Sequence, residues 1–149
     1  MRKTIELRSG EIYAYSELGT SNPQTLILIH GAFASSAVFQ HSFLQLSKNF
    51  HIFALDLRGH GHSSYNQTLS SHDDFATDLK QFAEALSLYR FYLLGWCMGA
   101  NVAIKFAAQY PDQTQGLLLI NPASTKGFRR TKLIKMECKL QKEQGQERR

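Results

Sequence analysis

The sequence predicts an α/β fold in which a mostly parallel sheet is covered by helices on both faces. Apolar runs typical of buried strands alternate with segments of helical periodicity from residue 25 to residue 120. The runs are continuous, as expected for strands with both faces covered, and most of them end at glycine or a polar residue. With 149 residues, of which 43% are hydrophobic, the chain is long enough for one domain with a real core and too short for two.

The predicted sheet begins with an N-terminal β-hairpin. Strand-like runs flank the turn signal Ser9-Gly10, which is typical of a tight reversal. Further along, Ser35 or Ser36 is expected to cap the first helix, and Asp73 and Asp74 are expected in the first turn of the second. Strands are predicted at residues 4–7, 12–17, 25–29, 51–55, 91–94 and 116–120, and helices at residues 38–46, 73–88 and 98–110.

Polar residues follow four of the predicted strands, at the point where each strand ends. His30-Gly31 follows the third strand, Asp56 the fourth, Cys97 the fifth and Asn121 the sixth. The carboxyl ends of parallel strands meet at one rim of the sheet, and active sites in such sheets lie outside that rim. We therefore expect these four loops to contribute to one site.

The sharpest reversal in the chain is predicted at Cys97. Only a few residues separate the strand that ends at Leu94 from the helix that starts at Met98, so the apex residue is expected to be strained. Gly95 and Gly99 leave room for strand and helix to approach each other. A side chain at this apex stands clear of the sheet, above the positive end of the helix, which suits a nucleophile. A buried cysteine between two chance glycines is the alternative that these five residues leave open.

The positive charge of the chain is confined to its C-terminal end. Residues 1–125 carry eight Lys/Arg and nine Asp/Glu, a net charge of −1, whereas residues 126–149 carry nine Lys/Arg and three Glu, a net charge of +6. We predict a folded domain at residues 1–125 and a basic tail at residues 126–149, either disordered or a short amphipathic helix. The tail lacks interleaved aromatics and any nucleic-acid-binding motif, so no nucleic-acid partner is expected.

Composition also argues against several other classes of protein. No apolar run approaches the ~20 residues that span a bilayer, and the N-terminus lacks the apolar core of a signal peptide. Two cysteines, Cys97 and Cys138, do not make a disulfide framework, so a cytoplasmic location is expected. The sequence has no CxxC pair and no histidine–cysteine cluster, and we expect neither a metal nor a cofactor.

Three motifs in order resemble the α/β-hydrolase superfamily, over about residues 12–124. His30-Gly31-Ala32 looks like the oxyanion loop of that family, after its third strand. Residues 56–63, D-L-R-G-H-G-H-S, are similar to its D-x-R-G-x-G-x-S segment. Residues 95–99, G-W-C-M-G, look like the nucleophile elbow, with cysteine in place of the usual serine. The resemblance implies the N-terminal portion of an α/β-hydrolase fold.

The resemblance also implies acyl transfer, as in esterases, thioesterases and lactonases. Cys97 would attack the carbonyl of a small-molecule acyl substrate and form a thioester. The backbone N–H groups of Met98 and Ala32 would hold the oxyanion.

The other motif residues are expected to have structural roles. His30 is expected to bond the loop backbone and shape the oxyanion turn. Asp56, Arg58 and His60 are expected to pin a charged, solvated surface loop.

The family order also requires an acid and a histidine after the nucleophile. All six histidines precede Cys97, so we expect a truncated chain that is weakly active or inactive. His60 or His62, on a neighbouring loop, is the alternative base. A sheet that ends at its sixth strand would leave an uncovered edge, which predicts self-association. Two other interpretations stay open: a non-catalytic binding or regulatory fragment of the same fold, and an interaction module built on the basic tail.

Overall fold

Six strands pair into one mixed sheet in the computed structural model, which describes residues 2–122 of the chain. The strands are β1 (Arg2–Glu6), β2 (Ile12–Leu18), β3 (Thr25–Ile29), β4 (His51–Leu55), β5 (Phe91–Trp96) and β6 (Thr114–Ile120). Their order across the sheet is β1-β2-β4-β3-β5-β6. β1 and β2 form an antiparallel hairpin, β2 is antiparallel to β4, and the remaining strands run parallel. The predicted mostly parallel sheet with its N-terminal hairpin is confirmed.

Three α-helices connect the parallel strands, and they lie on both faces of the sheet. They are α1 (Gln40–Leu46), α2 (His72–Ala85) and α3 (Met98–Gln109), with short 3₁₀ turns at Ser36–Phe39 and Pro111–Gln113. A capping box starts α2, in which the Ser71 hydroxyl and the Asp74 carboxylate satisfy free backbone N–H groups. The helix ends three residues before the predicted boundary, because Ser87 turns to a φ of 55° and the Leu88 N–H bonds back to the Ala83 carbonyl at 2.8 Å.

The segment predicted as the first helix is less regular than expected. Ser35 caps a 3₁₀ turn by accepting a hydrogen bond from the Ala37 N–H at 3.3 Å, and only then does α1 begin. Phe39 and Phe43 pack on the sheet, but Val38 and Leu44 are exposed. Only part of the predicted apolar face is therefore buried.

The continuous apolar strands are explained by two hydrophobic layers, one on each face of the sheet. Because successive strand residues point to opposite faces, every position of a central strand meets a layer. The layer under α2 and α3 includes the strand residues Ile27, Ile29, Phe53, Leu55 and Leu93. The layer under α1 takes Leu26, Leu28, Ile52, Ala54 and Leu94.

β6 lies at one edge of the described sheet. Leu117 and Leu119 pack towards α2 and α3, whereas Leu118 and Ile120 point to the opposite face and are 54% and 48% exposed. The α1 side of β6 is therefore uncovered within residues 2–122. The predicted basic tail at residues 126–149, with Cys138, lies outside the described residues.

Candidate active site

Cys97 lies at a strained turn between β5 and α3. Its backbone has φ 53° and ψ −116°, a conformation that residues with a β-carbon rarely adopt and that costs about 1–3 kcal/mol. The surrounding structure holds the turn on both sides. The Cys97 N–H donates to the Ile120 carbonyl of β6 at 2.9 Å, and the Cys97 carbonyl accepts from the Ala100 N–H at 3.0 Å. The side chain is part-buried at the carboxyl rim of the sheet.

The two glycines beside Cys97 allow backbone contacts that no side chain could share. A β-carbon on Gly95 would lie 2.5 Å from the Ala100 Cα, and one on Gly99 would lie 2.5 Å from the His30 carbonyl oxygen. Both distances are far below van der Waals contact. The start of α3 therefore rests directly on the ends of β5 and β3, which brings the loop after β3 next to Cys97.

The loop after β3 lies against the cysteine turn. A β-carbon on Gly31 would be 3.1 Å from the Cys97 Cβ, so the two backbones are neighbours. The Gly31 carbonyl accepts hydrogen bonds from His30 Nδ1 at 2.7 Å and from the Ala34 N–H at 3.3 Å. In a planar trans peptide the N–H points opposite to the carbonyl, so the Ala32 N–H is directed away from these donors. Two hydrogen bonds thus fix the direction of the Ala32 N–H.

The His30 imidazole is fully buried and uses both of its nitrogens. Nδ1 donates to the Gly31 carbonyl, and Nε2 accepts from the Leu57 N–H at 3.0 Å, which requires the neutral Nδ1–H tautomer. Burial lowers the pKa of His30, and the neighbouring His60 lowers it further. A neutral imidazole with both nitrogens engaged joins two loops and has no free atom to serve as a base.

Asp56 joins the loops after β3 and β4. Its Oδ1 accepts from the Ser36 N–H at 2.8 Å and its Oδ2 from the His62 N–H at 2.9 Å. Burial alone would raise the pKa of this carboxyl, but these backbone N–H groups lower it below its ordinary value. Asp56 is therefore a buried anion that holds the rim together.

Arg58 anchors the same loop to two distant elements. Its guanidinium binds Asp78 of α2 through two hydrogen bonds, Nε to Oδ2 at 2.8 Å and Nη2 to Oδ1 at 2.5 Å. The Tyr13 hydroxyl of β2 donates to the same carboxylate at 2.8 Å and accepts from the Arg58 N–H at 3.2 Å. The hydrogen bonds to Asp78 raise the pKa of Arg58, and the Glu11 carboxylate lies 3.7 Å from Nε.

The prediction of solvated charges on this loop is wrong for Asp56 and Arg58, because both side chains are buried in these polar contacts. The sequence interpretation also missed Asp78, which is completely buried. A signal was present: Asp78 lies at helical spacing between Phe75 and Phe82, so a carboxylate interrupts the apolar stripe of α2.

Neither candidate base is hydrogen-bonded to Cys97 in the described part of the chain. His60 donates from Nδ1 to the Arg58 carbonyl at 3.0 Å, and its ring lies 5.1 Å from that of His30. His62 is exposed, with its Nδ1 3.6 Å from Asp56 Oδ2. Between residues 2 and 122 there is also no cluster of three side chains able to hold a metal ion, and no helix is both long and apolar enough to cross a bilayer.

Comparison with known families gives a match over most of the chain. The family model of the α/β hydrolase fold matches residues 24–136. The match includes all three motifs of the rim, and it continues past residue 125 into the segment predicted as a basic tail.

Individual relatives include hydrolases and acyltransferases. Human monoacylglycerol lipase ABHD6 is 33% identical over 119 residues, which cover 74% of this chain and 34% of the lipase. An Arabidopsis thaliana 1-acylglycerol-3-phosphate O-acyltransferase is 33% identical over 104 residues, 66% of this chain and 25% of the relative. The 2-(acetamidomethylene)succinate hydrolase of Mesorhizobium japonicum is 32% identical over 96 residues, 64% of this chain and 34% of the relative. The chain therefore spans about a quarter to a third of the length of these proteins.

A solved structure is also similar to this chain. A membrane phospholipase A described as a bacterial virulence factor superposes with a TM-score of 0.79 at 32% identity, over 83% of this chain and 40% of that one.

Proposed function

Because the chain belongs to the α/β-hydrolase family, we propose that it is an acyl-transfer protein whose nucleophile is Cys97. The family includes the lipase, hydrolase and acyltransferase relatives described above, and two of these are named for acylglycerol substrates, which supports a small-molecule acyl substrate. The observation that carries the proposal is the strained backbone of Cys97, with φ 53° at the apex between strand and helix. Strain of this kind clusters at active sites, where the surrounding structure holds it in place.

In the proposed reaction the Cys97 sulfur attacks the carbonyl carbon of an ester or thioester. A sulfur–carbon bond forms, and the carbonyl electrons move to the oxygen, where the N–H groups of Met98 and Ala32 stabilise the negative charge. Met98 is the first residue of α3, where the helix has no acceptor for its N–H. Collapse of the intermediate expels the alcohol or thiol, which takes up the proton lost by Cys97.

We propose that the chain performs this acylation without sustained turnover. Hydrolysis of the thioester needs a positioned general base, and all six histidines precede Cys97. Both nitrogens of His30 are engaged, and neither His60 nor His62 is hydrogen-bonded to Cys97. In triad enzymes, loss of a member leaves a residual rate only ~10³–10⁴ above water.

The test is acylation by p-nitrophenyl acetate. We expect a nitrophenolate burst of at most one equivalent, a matching acetyl adduct on the Cys97 peptide by mass spectrometry, and no sustained release afterwards. Cys97→Ala should abolish the burst, whereas His60→Ala should leave it unchanged. Sustained turnover that His60→Ala or His62→Ala removes would instead establish a base on the neighbouring loop. No burst from a Cys97 that iodoacetamide still alkylates would favour a non-catalytic binding role for this fold.

We further propose that the protein is cytoplasmic and self-associates through β6. The free thiol of Cys97 supports a reducing compartment. Within residues 2–122 the outer edge of β6 has no partner strand, and the side chains of Leu118 and Ile120 are exposed. These features support self-association, because an unpaired, uncharged edge strand is a template for pairing with another chain.

A further inference from the structure

Phe33 combines backbone strain with complete exposure. Its φ is 57°, in the region that favours glycine, and its side chain is 101% exposed. The turn that holds it is closed by the hydrogen bond from the Ala34 N–H to the Gly31 carbonyl. No residue between 2 and 122 covers this ring, so packing of the ring does not offset the strain. The feature therefore contributes nothing evident to the stability of the described fold.

Phe33 belongs to the turn that lies against Cys97. It follows Ala32, whose N–H is the proposed oxyanion donor, and Gly31 of the same turn lies against the Cys97 Cβ. Ala32 and Ala34 are small, so Phe33 is the one large side chain of this turn. An acyl group bound to Cys97 would have the Phe33 turn on one side.

The strand on the other side of β5 ends at Ile120, which also has an exposed apolar side chain. The Ile120 carbonyl accepts the Cys97 N–H at 2.9 Å, and the Ile120 side chain is about half exposed. In the sheet, β5 lies between β3 and β6, so Cys97 directly follows the middle strand of the three. Phe33 lies in the loop after β3, and Ile120 is the last residue of β6, and β3 and β6 are the two strands that flank β5.

We propose that Phe33 and Ile120 are specificity-determining residues that receive the apolar chain of the acyl group. The substrate class is then esters or thioesters of acyl chains several carbons long, in preference to acetyl esters. This inference rests on the proposed role of Cys97 as the reacting nucleophile. An apolar chain that packs against the Phe33 ring removes apolar surface of both partners from water. This burial contributes favourable binding free energy.

The test uses N-ethylmaleimide and N-octylmaleimide on the full chain, because alkylation of Cys97 does not depend on acyl chemistry. The sulfur adds to the maleimide double bond, the thiol proton goes to the adjacent carbon, and no group leaves. Mass spectrometry of peptides separates Cys97 from Cys138, which serves as an internal reference. We expect a higher octyl-to-ethyl rate ratio at Cys97 than at Cys138, and a fall of roughly tenfold in the Cys97 ratio for Phe33→Ala.

Tyr89→Ala is the matched control, since Tyr89 is an exposed aromatic just before β5, at the opposite end of the sheet, and this variant should keep the wild-type ratio. Phe33→Leu, which preserves an apolar side chain, should retain most of the wild-type octyl-to-ethyl rate ratio at Cys97. The same Cys97 ratio in wild type and Phe33→Ala would overturn the inference, as would a Cys97 that reacts with neither reagent. A normal maleimide preference without any burst from p-nitrophenyl acetate would reject the acyl-transfer proposal and leave the apolar site standing.

Discussion

His30 shows how one side chain can set the direction of a proposed oxyanion donor that it does not contact. Its ring contacts the Gly31 carbonyl, which belongs to the same rigid peptide as the Ala32 N–H. The Leu57 N–H in turn fixes the tautomer of the ring. The proposed oxyanion donor therefore depends on the loop after β4 as well as on its own loop.

Replacing His30 by phenylalanine should weaken both the fold and the burst. The change leaves the buried Leu57 N–H without its partner and removes one donor to the Gly31 carbonyl, which together should lower the free energy of unfolding by about 2–4 kcal/mol. We also expect the burst rate with p-nitrophenyl acetate to fall at least about tenfold, because the Ala32 N–H loses a constraint. Urea unfolding and stopped-flow kinetics measure the two effects. His41→Phe, at an exposed position on α1, should change neither.

Acid should destabilise the protein through the same imidazole. Burial lowers the pKa of His30 in the folded state below its ordinary 6.5, so the unfolded chain binds the proton first. The contribution of His30 is therefore complete above about pH 6.5 and is lost as the pH falls towards the folded-state value. Urea unfolding at about pH 7.5 and 5.5 should show a larger loss for the wild type than for His30→Phe. Equal losses in the two proteins would contradict this assignment.

At the scale of elements, the Arg58–Asp78 pair ties the loop after β4 to α2. Asp78→Ala should cost about 3–5 kcal/mol, because it leaves a guanidinium buried without its main partner. The double variant Arg58→Met, Asp78→Leu should recover much of that loss, since it leaves no unpaired charge. Glu84→Ala, which removes the solvent-accessible pairs of this α2 residue with Arg8 and Lys80, should cost less than about 1 kcal/mol. A similar cost for Asp78→Ala and Glu84→Ala in urea unfolding would refute the anchoring role.

The sequence predicted the elements of the fold better than the contacts between them. The strands, the turn at Cys97 and the helices depend on residues that are close in the chain, so local patterns reveal them. Tyr13 and Asp78 are 65 residues apart in the chain, and the local sequence around neither residue indicates that they are in contact. The same limit explains why Arg58 was expected in solvent. A charged residue in a glycine-rich loop is usually exposed, whereas this one is buried in its contacts with Asp78 of α2 and Tyr13 of β2.

At the scale of the whole molecule, we expect self-association through β6. Leu118→Lys places a charge on the exposed face of this strand, where it should oppose pairing and reduce the sedimentation-average mass at tens of micromolar. Leu44→Lys, on the exposed side of α1, is the matched control and should leave the mass unchanged. A wild-type chain that sediments as a monomer throughout this range would contradict the expectation.

The hydrogen bond between the Cys97 N–H and the Ile120 carbonyl makes β6 part of the support of the Cys97 turn. A chain bound at the outer edge of β6 would therefore contact the same strand that holds the Cys97 turn. If a neighbouring strand binds that edge more tightly when Cys97 is acylated, binding of that strand must favour acylation of Cys97 by the same factor. Binding of a strand at the β6 edge and acylation of Cys97 would then be thermodynamically linked.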